Sequence, residues 1–314
     1  MALLNILTDV RWWIAAGVVC ALSFGSWGGI TSTLLIIVLM VQMSLSMDGL
    51  AFRRSDITEH SRSILLATVS CLAISTGSAL LMGLLFKQAH PDVWSGWVML
   101  ASAPCAVSVI TFTLYLKGDM KLSVLSSVVI YLCALVFTPA MTLLFTGGAV
   151  NPLQVLKYVV LFIAVPLAAT YPLGRLRLDR NVKIVGINMM MFTMVALAVG
   201  FNRESFFSEP LLVLGIAAAS FVRIFLLSLA MFRLMRKARV DRDRAVVYLG
   251  MAVWKNSGLA ATLCILLLAA TPAALLPCVV SLLMETVWFG ALSGHFNRSW
   301  PHMSEEDATD ARSL

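Results

Sequence analysis

Charge is what this chain has least of. Only 12% of its 314 residues are Asp, Glu, Lys or Arg, about half of what a soluble domain carries. Apolar residues make up 60% and the mean hydropathy is +0.91. So few charges cannot cover this much apolar surface in water, which excludes a cytosolic enzyme, a nucleic-acid-binding domain and a disordered chain. Other absences narrow the reading. The four histidines (His60, His90, His295, His302) lie in loops or just beyond apolar runs, and there is no HExxH, no paired intramembrane aspartate and no GxxxxGK[ST] loop. No nucleophile–base or metal constellation is assembled, so the chain does not read as an enzyme and calls for no cofactor. The six cysteines (Cys20, Cys71, Cys105, Cys133, Cys264, Cys278) lack the paired spacing of zinc sites or disulfide frameworks. They read as small buried hydrophobes.

What is present is a series of long apolar runs. A helix rising about 1.5 Å per residue needs about 20 residues to cross a hydrocarbon core of about 30 Å. Ten stretches qualify: Trp12–Phe24, Ile30–Met47, Ser63–Phe86, Trp97–Leu116, Leu122–Phe145, Leu153–Leu173, Ile184–Phe201, Leu211–Leu234, Ala245–Leu268 and Leu275–Leu292. The first is short, but Asp9 precedes Arg11 and no small-x-small cleavage site follows Phe24, so it reads as a span rather than a signal peptide. Lys and Arg collect in alternate loops: Arg53, Arg54 and Arg62; Lys117 and Lys121; Arg175, Arg177, Arg180 and Lys183; then Arg233 through Arg244. Such loops are cytoplasmic, and ten spans then put both termini in the cytoplasm, with residues 295–314 as a short polar tail ending in Ser304–Leu314. The net charge of +7 is therefore a topology signal and needs no nucleic acid to explain it.

Ten spans divide into two halves, 1–150 and 151–294. With five spans in each, the second half is inverted relative to the first, as in carriers built from inverted repeats. The fourth span of each half is interrupted. In the first, Ala103-Pro104-Cys105-Ala106-Val107-Ser108 sets a proline inside an apolar run, where it removes a helix hydrogen bond. In the second, Trp254-Lys255-Asn256-Ser257-Gly258 inserts polar residues between apolar flanks. Irregular backbone at that depth is tolerated where protein or a water-filled cavity satisfies it.

Three ionisable residues fall outside the loops: Arg223, Lys255 and Glu285. Counted from the span ends, all three reach the same level near the midplane, where an unpaired charge costs at least about 2.5–3.5 kcal/mol. One reading is a Lys–Glu or Arg–Glu pair lining a cavity, with the spare positive charge receiving an anionic substrate. The other is a structural ion pair, or an Arg223 that snorkels to the interface. Trp254 and Trp288 flank the polar cluster and are candidates for substrate contact, whereas Trp12, Trp13, Trp94, Trp97 and Trp300 lie near span ends, where interfacial belts form.

Ala103-Pro104-Cys105, Leu116-Lys117-Gly118-Asp119, Leu122-Ser123 and Thr138-Pro139, with Asn256-Ser257-Gly258-Leu259-Ala260 and Pro277 further on, resemble the bile acid:sodium symporter family. The resemblance implies an all-α membrane protein of ten helices in two inverted five-helix repeats. It also implies a panel of spans one, two, six and seven, a core of the others with spans four and nine crossing, and substrate held in the cleft between them. Thr111, Ser108, Asn256, Ser257 and Thr286 are then candidates for contact with substrate or ion. The sodium ligands fit poorly. One Ser-Asn pair falls on Val109 and Ile110, the shared acid on Met251, one glutamine on Lys255 and another near Cys71, while the hydroxyls are kept as Ser123 and Ser127. Hard cations want oxygen ligands, so the two-sodium mechanism is expected to be lost. The Lys255 ammonium is expected to stand in for one ion, neutralised by Glu285, with a proton or nothing driving transport.

Ala103-Pro104-Cys105 ahead of Gly118-Asp119 also resembles the arsenite-efflux carriers, in which a thiol at the place of Cys105 handles a soft metalloid. Their ninth-span acid falls on Gly258 here. The expectation is a secondary carrier of a small organic anion in a bacterial inner membrane, with the bilayer and the substrate as its partners and the oligomeric state left open. Arsenite or antimonite efflux through Cys105, and a receptor that binds without flux, are the alternatives.

Overall fold

The computed structural model describes residues 7–25, 31–47, 58–147, 150–176 and 178–300. The polar tail from 301 onward, Arg53, Arg54 and Arg177 lie outside the described residues. Within them the chain is helical, with no β-strand apart from an isolated antiparallel bridge between Cys105 and Lys255.

The helices are α1 (Val10–Phe24), α2 (Thr31–Met47), α3 (Ser61–Val69), α4 (Thr76–Leu84), α5 (Pro91–Ser102), α6 (Ser108–Tyr115), α7 (Met120–Thr146), α8 (Pro152–Arg175), α9 (Arg180–Phe201), α10 (Arg203–Ser208), α11 (Pro210–Lys237), α12 (Arg242–Val253), α13 (Ser257–Leu267) and α14 (Leu276–Ser299). A π-helical turn, Ser70–Ser75, joins α3 to α4, and a 3-10 turn, Pro272–Leu275, leads into α14. Among the described residues, five stretches are long and apolar enough to cross a membrane: Ser61–Leu84, Met120–Thr146, Asn181–Phe201, Pro210–Lys237 and Pro272–Phe289. Shorter apolar helices include Val10–Phe24 and Ser257–Leu267. The short helix α10 interrupts the link between α9 and α11 and has no counterpart among the expected spans.

Local chemistry starts these helices where the sequence changes character. Asp9 caps α1 by accepting from the Arg11 backbone N at 3.0 Å, and the Arg11 guanidinium closes on the same carboxylate at 2.6 Å, which holds the Asp9 carboxyl below its ordinary range. Asn151 and Asp179 cap α8 and α9 in the same way, a role in which a side-chain oxygen satisfies an orphan amide. Proline opens α5, α8 and α11, where its missing N–H costs nothing. For this reason α5 begins at Pro91, earlier than the apolar run that starts at Trp97.

Two groups of helices emerge from the packing. In one, α9 lies against α1 and α2, and α8 lies against α2. In the other, α5 packs on α4, α7, α13 and α14, while α11 packs on α12 and α14. Close approach of one helix to the backbone of another depends on glycine at Gly96 and Gly17. A Cβ on Gly96 would collide with the Ala274 carbonyl, and one on Gly17 would come within 2.9 Å of the Phe192 carbonyl. Cys71, Cys105, Cys264 and Cys278 are buried as expected. Cys133 is instead exposed on α7 and Cys20 is half-buried, since both sit on outward faces of apolar helices.

Candidate functional site

The two interrupted spans cross. The helix of the first break ends at Ser102 and resumes at Ser108, with Ala103 extended (φ −65°, ψ 148°). The second ends at Val253 and resumes at Ser257, with Trp254 extended (φ −98°, ψ 112°). The breaks run antiparallel and hydrogen-bond to each other: Ala106 N donates to Trp254 O at 3.1 Å and Asn256 N to Pro104 O at 2.8 Å.

An interrupted helix leaves carbonyls without partners at its end, and here five consecutive ones are each answered from elsewhere. Ala101 O accepts from Thr76 Oγ1 (2.9 Å), Ser102 O from Thr138 Oγ1 (2.8 Å), Ala103 O from Lys255 Nζ (2.8 Å), Pro104 O from Asn256 N (2.8 Å) and Cys105 O from Tyr131 Oη (2.9 Å). Tyr131 Oη accepts in turn from Asn256 Nδ2 at 3.0 Å, while Asn256 Oδ1 caps α13 through Leu259 N.

Lys255 is fully buried. Its ammonium donates to Ala103 O, to Thr76 Oγ1 at 2.9 Å and to Cys71 O at 3.2 Å. All three acceptors are neutral oxygens: the Ala103 carbonyl just beyond the C-terminal end of α5, where the helix dipole favours positive charge, the Cys71 carbonyl in the π turn, and the Thr76 hydroxyl at the start of α4. The carboxylate takes the complementary place. Glu285 on α14 accepts from Lys255 backbone N (3.4 Å) and Ser257 Oγ (3.4 Å) at the start of α13, and from Arg223 Nη2 of α11 at 3.3 Å.

The three ionisable residues expected at one depth are thus brought together, and of the two pairings the sequence left open the Arg–Glu one is present, while the expected neutralisation of the Lys255 ammonium by Glu285 is not. Glu285 pairs with Arg223, and Lys255 reaches it only through its backbone N–H. The Lys255 ammonium is solvated by carbonyl and hydroxyl oxygens instead, because its side chain leaves the break toward α5 and the π turn, away from α14. Nor is a spare cation presented to substrate: the Arg223 side chain has no exposure and Lys255 none, whereas Glu285 keeps an edge open.

That edge borders a cavity of about 110 Å³ between the two groups of helices. Its apolar wall includes Leu39, Met43, Ile184, Met191 and Met194. Its polar wall includes Gln42, Ser108, Thr111, Asn188, Lys255, Asn256, Ser257 and Glu285. A smaller adjoining cavity of about 50 Å³ is lined by Ser108, Glu285, Thr286 and Trp254, among others. Of the two tryptophans expected near substrate, Trp254 lines both cavities. Trp288 does not, because its indole N–H is engaged by Ser228 Oγ at 2.8 Å within a packed cluster with Phe112 and Trp254.

The remaining candidates lie behind this surface. Ser123 and Ser127 are buried between α6 and α7: Thr113 Oγ1 donates to Ser123 Oγ at 3.0 Å, and Ser127 Oγ donates to Ser123 O. Val109 and Met251 are fully buried, and Ile110 is partly so. Cys105 and Cys71 are both buried, and neither lines the cavity. The motif Leu116-Lys117-Gly118-Asp119 has a structural task. Lys117 adopts φ 51°, Asp119 caps α7, and Arg242 at the head of α12 clasps Leu116 O at 2.8 Å.

Cys71 was among the expected site residues, but the π turn that frees its carbonyl, and Thr76, were not foreseen. A π turn leaves apolar composition unchanged, so periodicity carries no sign of it. The polar run Ser70, Ser75, Thr76 within an apolar span was the one available signal.

Long apolar helices, two breaks crossing at depth and a half-polar cavity beside them define a membrane transporter of the carrier class. The model of the sodium bile acid symporter family matches residues 33–209, more than half of the chain, and the chain belongs to that family. The match contains the first break, the π turn and α7; the second break and Glu285 lie beyond it. Members of the family are transporters rather than enzymes, and the chain is an integral membrane protein. No curated protein matches it as a relative.

Proposed function

We propose that the chain is a secondary carrier that moves a small organic anion by alternating access, without sodium at the family's two usual positions. The observation that carries this reading is the seat of the Lys255 ammonium, three oxygens at 2.8–3.2 Å where the two breaks cross. A monovalent cation covalently tied to the chain does there what a dissolved one would do, offsetting the negative carbonyl ends. Val109, Ile110 and Met251 offer no side-chain oxygen to a hard ion, and the hydroxyls of Ser123 and Ser127 are engaged within the α6–α7 pair.

Two features favour an anion. The start of α6, which no side chain caps, and the start of α13 both border the cavity, and helix N-termini attract negative groups. Arg223, Lys255 and Glu285 together also carry one net positive charge. The aliphatic and thioether wall suits an apolar body on the substrate. On this reading the chain forms two inverted five-helix repeats, 1–150 and 151–294. Their interrupted fourth members provide the site, both termini face the cytoplasm of a bacterial inner membrane, and a monomer suffices.

The test is uptake into proteoliposomes of labelled taurocholate, a short hydroxy acid and an aryl sulfonate under separate sodium and pH gradients, for the chain as it stands and for Lys255→Gln. Flux of at least one anion without response to sodium is the expected result. Accumulation that follows a sodium gradient overturns the claim about sodium, and an absence of flux for every anion overturns the carrier reading.

A further inference from the structure

Glu285 is the one acidic residue buried among the described residues, and the substrate reading leaves its charge unexplained. Its three contacts, Arg223 Nη2, Lys255 N and Ser257 Oγ, lie at 3.3–3.4 Å. The Lys255 ammonium, by contrast, is held as closely as 2.8 Å. A carboxylate has about four acceptor positions, so Glu285 is under-coordinated, and it borders both cavities. Its neighbour Arg223 stays charged under all ordinary conditions. Moreover, the Arg223 Nε has no partner and its Nη1 reaches Val253 O only at 3.5 Å. The ion pair is loose on both sides.

The groups facing Glu285 are few. α11 brings Arg223, the second break brings Lys255 through its backbone, α13 brings the Ser257 hydroxyl, and Cys278 lies two turns earlier on α14 itself. α1 and α9 contribute Val10 and Met191 beside it in the smaller cavity. Lys255 also borders the larger cavity but is fully buried with its ammonium held by three oxygens, whereas Glu285 borders both cavities, keeps an exposed edge and has a charge it can surrender.

We infer that Glu285 is a reversible proton-binding site that opens onto the substrate cavity, with Arg223 as its resting partner. A hydronium ion in the cavity transfers its proton to a carboxylate oxygen: one O–H bond breaks as the other forms, neutral water is left behind, and no bond between heavy atoms changes. The carboxyl then donates a hydrogen bond in place of accepting one, and the three buried residues carry two net positive charges instead of one. An anion entering the cavity meets a stronger positive field when the proton is bound. By reciprocity, the anion then strengthens proton binding to the same degree. This use of the proton rests on the carrier reading; the proton site itself does not.

The probe is the proton alone. Infrared difference spectra of the full chain in liposomes are recorded across a pH titration, for the unsubstituted protein, for Glu285→Gln and for an exposed control, Glu204→Gln. We expect a protonated-carboxyl C=O band that is complete in the control and absent in Glu285→Gln. Should Glu285→Gln fail to assemble, carboxyl-¹³C glutamate in the unsubstituted chain shifts the same band, and rapid hydrogen–deuterium exchange of it reports access from the cavity. Titration spectra of the Glu285→Gln and unsubstituted proteins that superimpose overturn the inference, as does a carboxyl band that neither shifts with labelled glutamate nor exchanges. These outcomes are independent of whether any anion is carried, so the proton site and the carrier reading fail separately.

Discussion

The two helix breaks solve one problem with opposite means. The first, Ala103 to Val107, contains no charge, and its exposed carbonyls are served by hydroxyls, an amide and the ammonium that arrives from the other break. The second, Trp254 to Asn256, brings its own cation, sends it across to the first, and receives a carboxylate at its freed amide. Negative helix ends thus meet Lys255, and the positive end of α13 meets Glu285, as backbone dipoles require. The difference is that the first break is completed only in the presence of the second. The pair is a single unit, and Lys255 is the member that both halves share.

The largest expected effect follows from removing that shared group. Lys255→Met keeps the length and apolar stem of the side chain but removes the donor to Ala103 O and to the acceptor side of Thr76, and leaves Cys71 O only the longer contact from Thr76 Oγ1 at 3.4 Å. Buried acceptors stripped of a charged partner cost about 3 kcal/mol or more. Thermal unfolding of the purified protein, followed by tryptophan fluorescence, should show the loss. An unchanged midpoint would mean that the oxygens find water and that the two breaks are not coupled through this residue.

The outline of this site was legible in the residues alone. Pro104 and the Lys-Asn-Ser-Gly run marked the breaks, and counting from span ends put Arg223, Lys255 and Glu285 at one level. The pairing was not legible. A count along a helix gives depth but not direction around the axis, and whether Lys255 turns toward α14 or toward α5 depends on that direction. The acceptors were hidden for a second reason. Ala103 O and Cys71 O are backbone atoms, freed by an extended residue and by a π turn, and backbone atoms have no sequence signature. The same limit applies to Trp288, which lies one turn from Glu285 in sequence but faces Ser228 and not the cavity.

A smaller effect is expected at Asn256, which connects the breaks without charge. Its Oδ1 caps α13 at 2.9 Å and its Nδ2 donates to Tyr131 Oη, which in turn holds Cys105 O. Asn256→Ala removes a cap worth about 1 kcal/mol and a buried hydrogen bond worth about the same, for about 2 kcal/mol in all. Asn256→Asp should keep the cap and lose the donor, recovering about half if its added charge is tolerated. Comparing the two variants by thermal unfolding separates the intrinsic needs of α13 from its hold on the first break.

Pro104 offers the smallest effect and the sharpest test of what makes a break. The residue before a proline is pushed to extended backbone, and Ala103 is extended (ψ 148°). Yet Trp254 is extended too (ψ 112°), and a lysine follows it. If the breaks are held by their crossing partners, Pro104→Ala leaves the break in place, since Ala103 O, Pro104 O and Cys105 O keep their donors. The loss is then confined to the freedom regained by the unfolded chain, about 0.4–1 kcal/mol, and to whatever the new amide fails to find. If proline itself makes the break, α5 should continue through residue 104 and Lys255 would lose its seat, giving a loss as large as that of Lys255→Met. The ratio of the two losses, measured under one condition, therefore tells whether the first break is imposed by its own sequence or by the second.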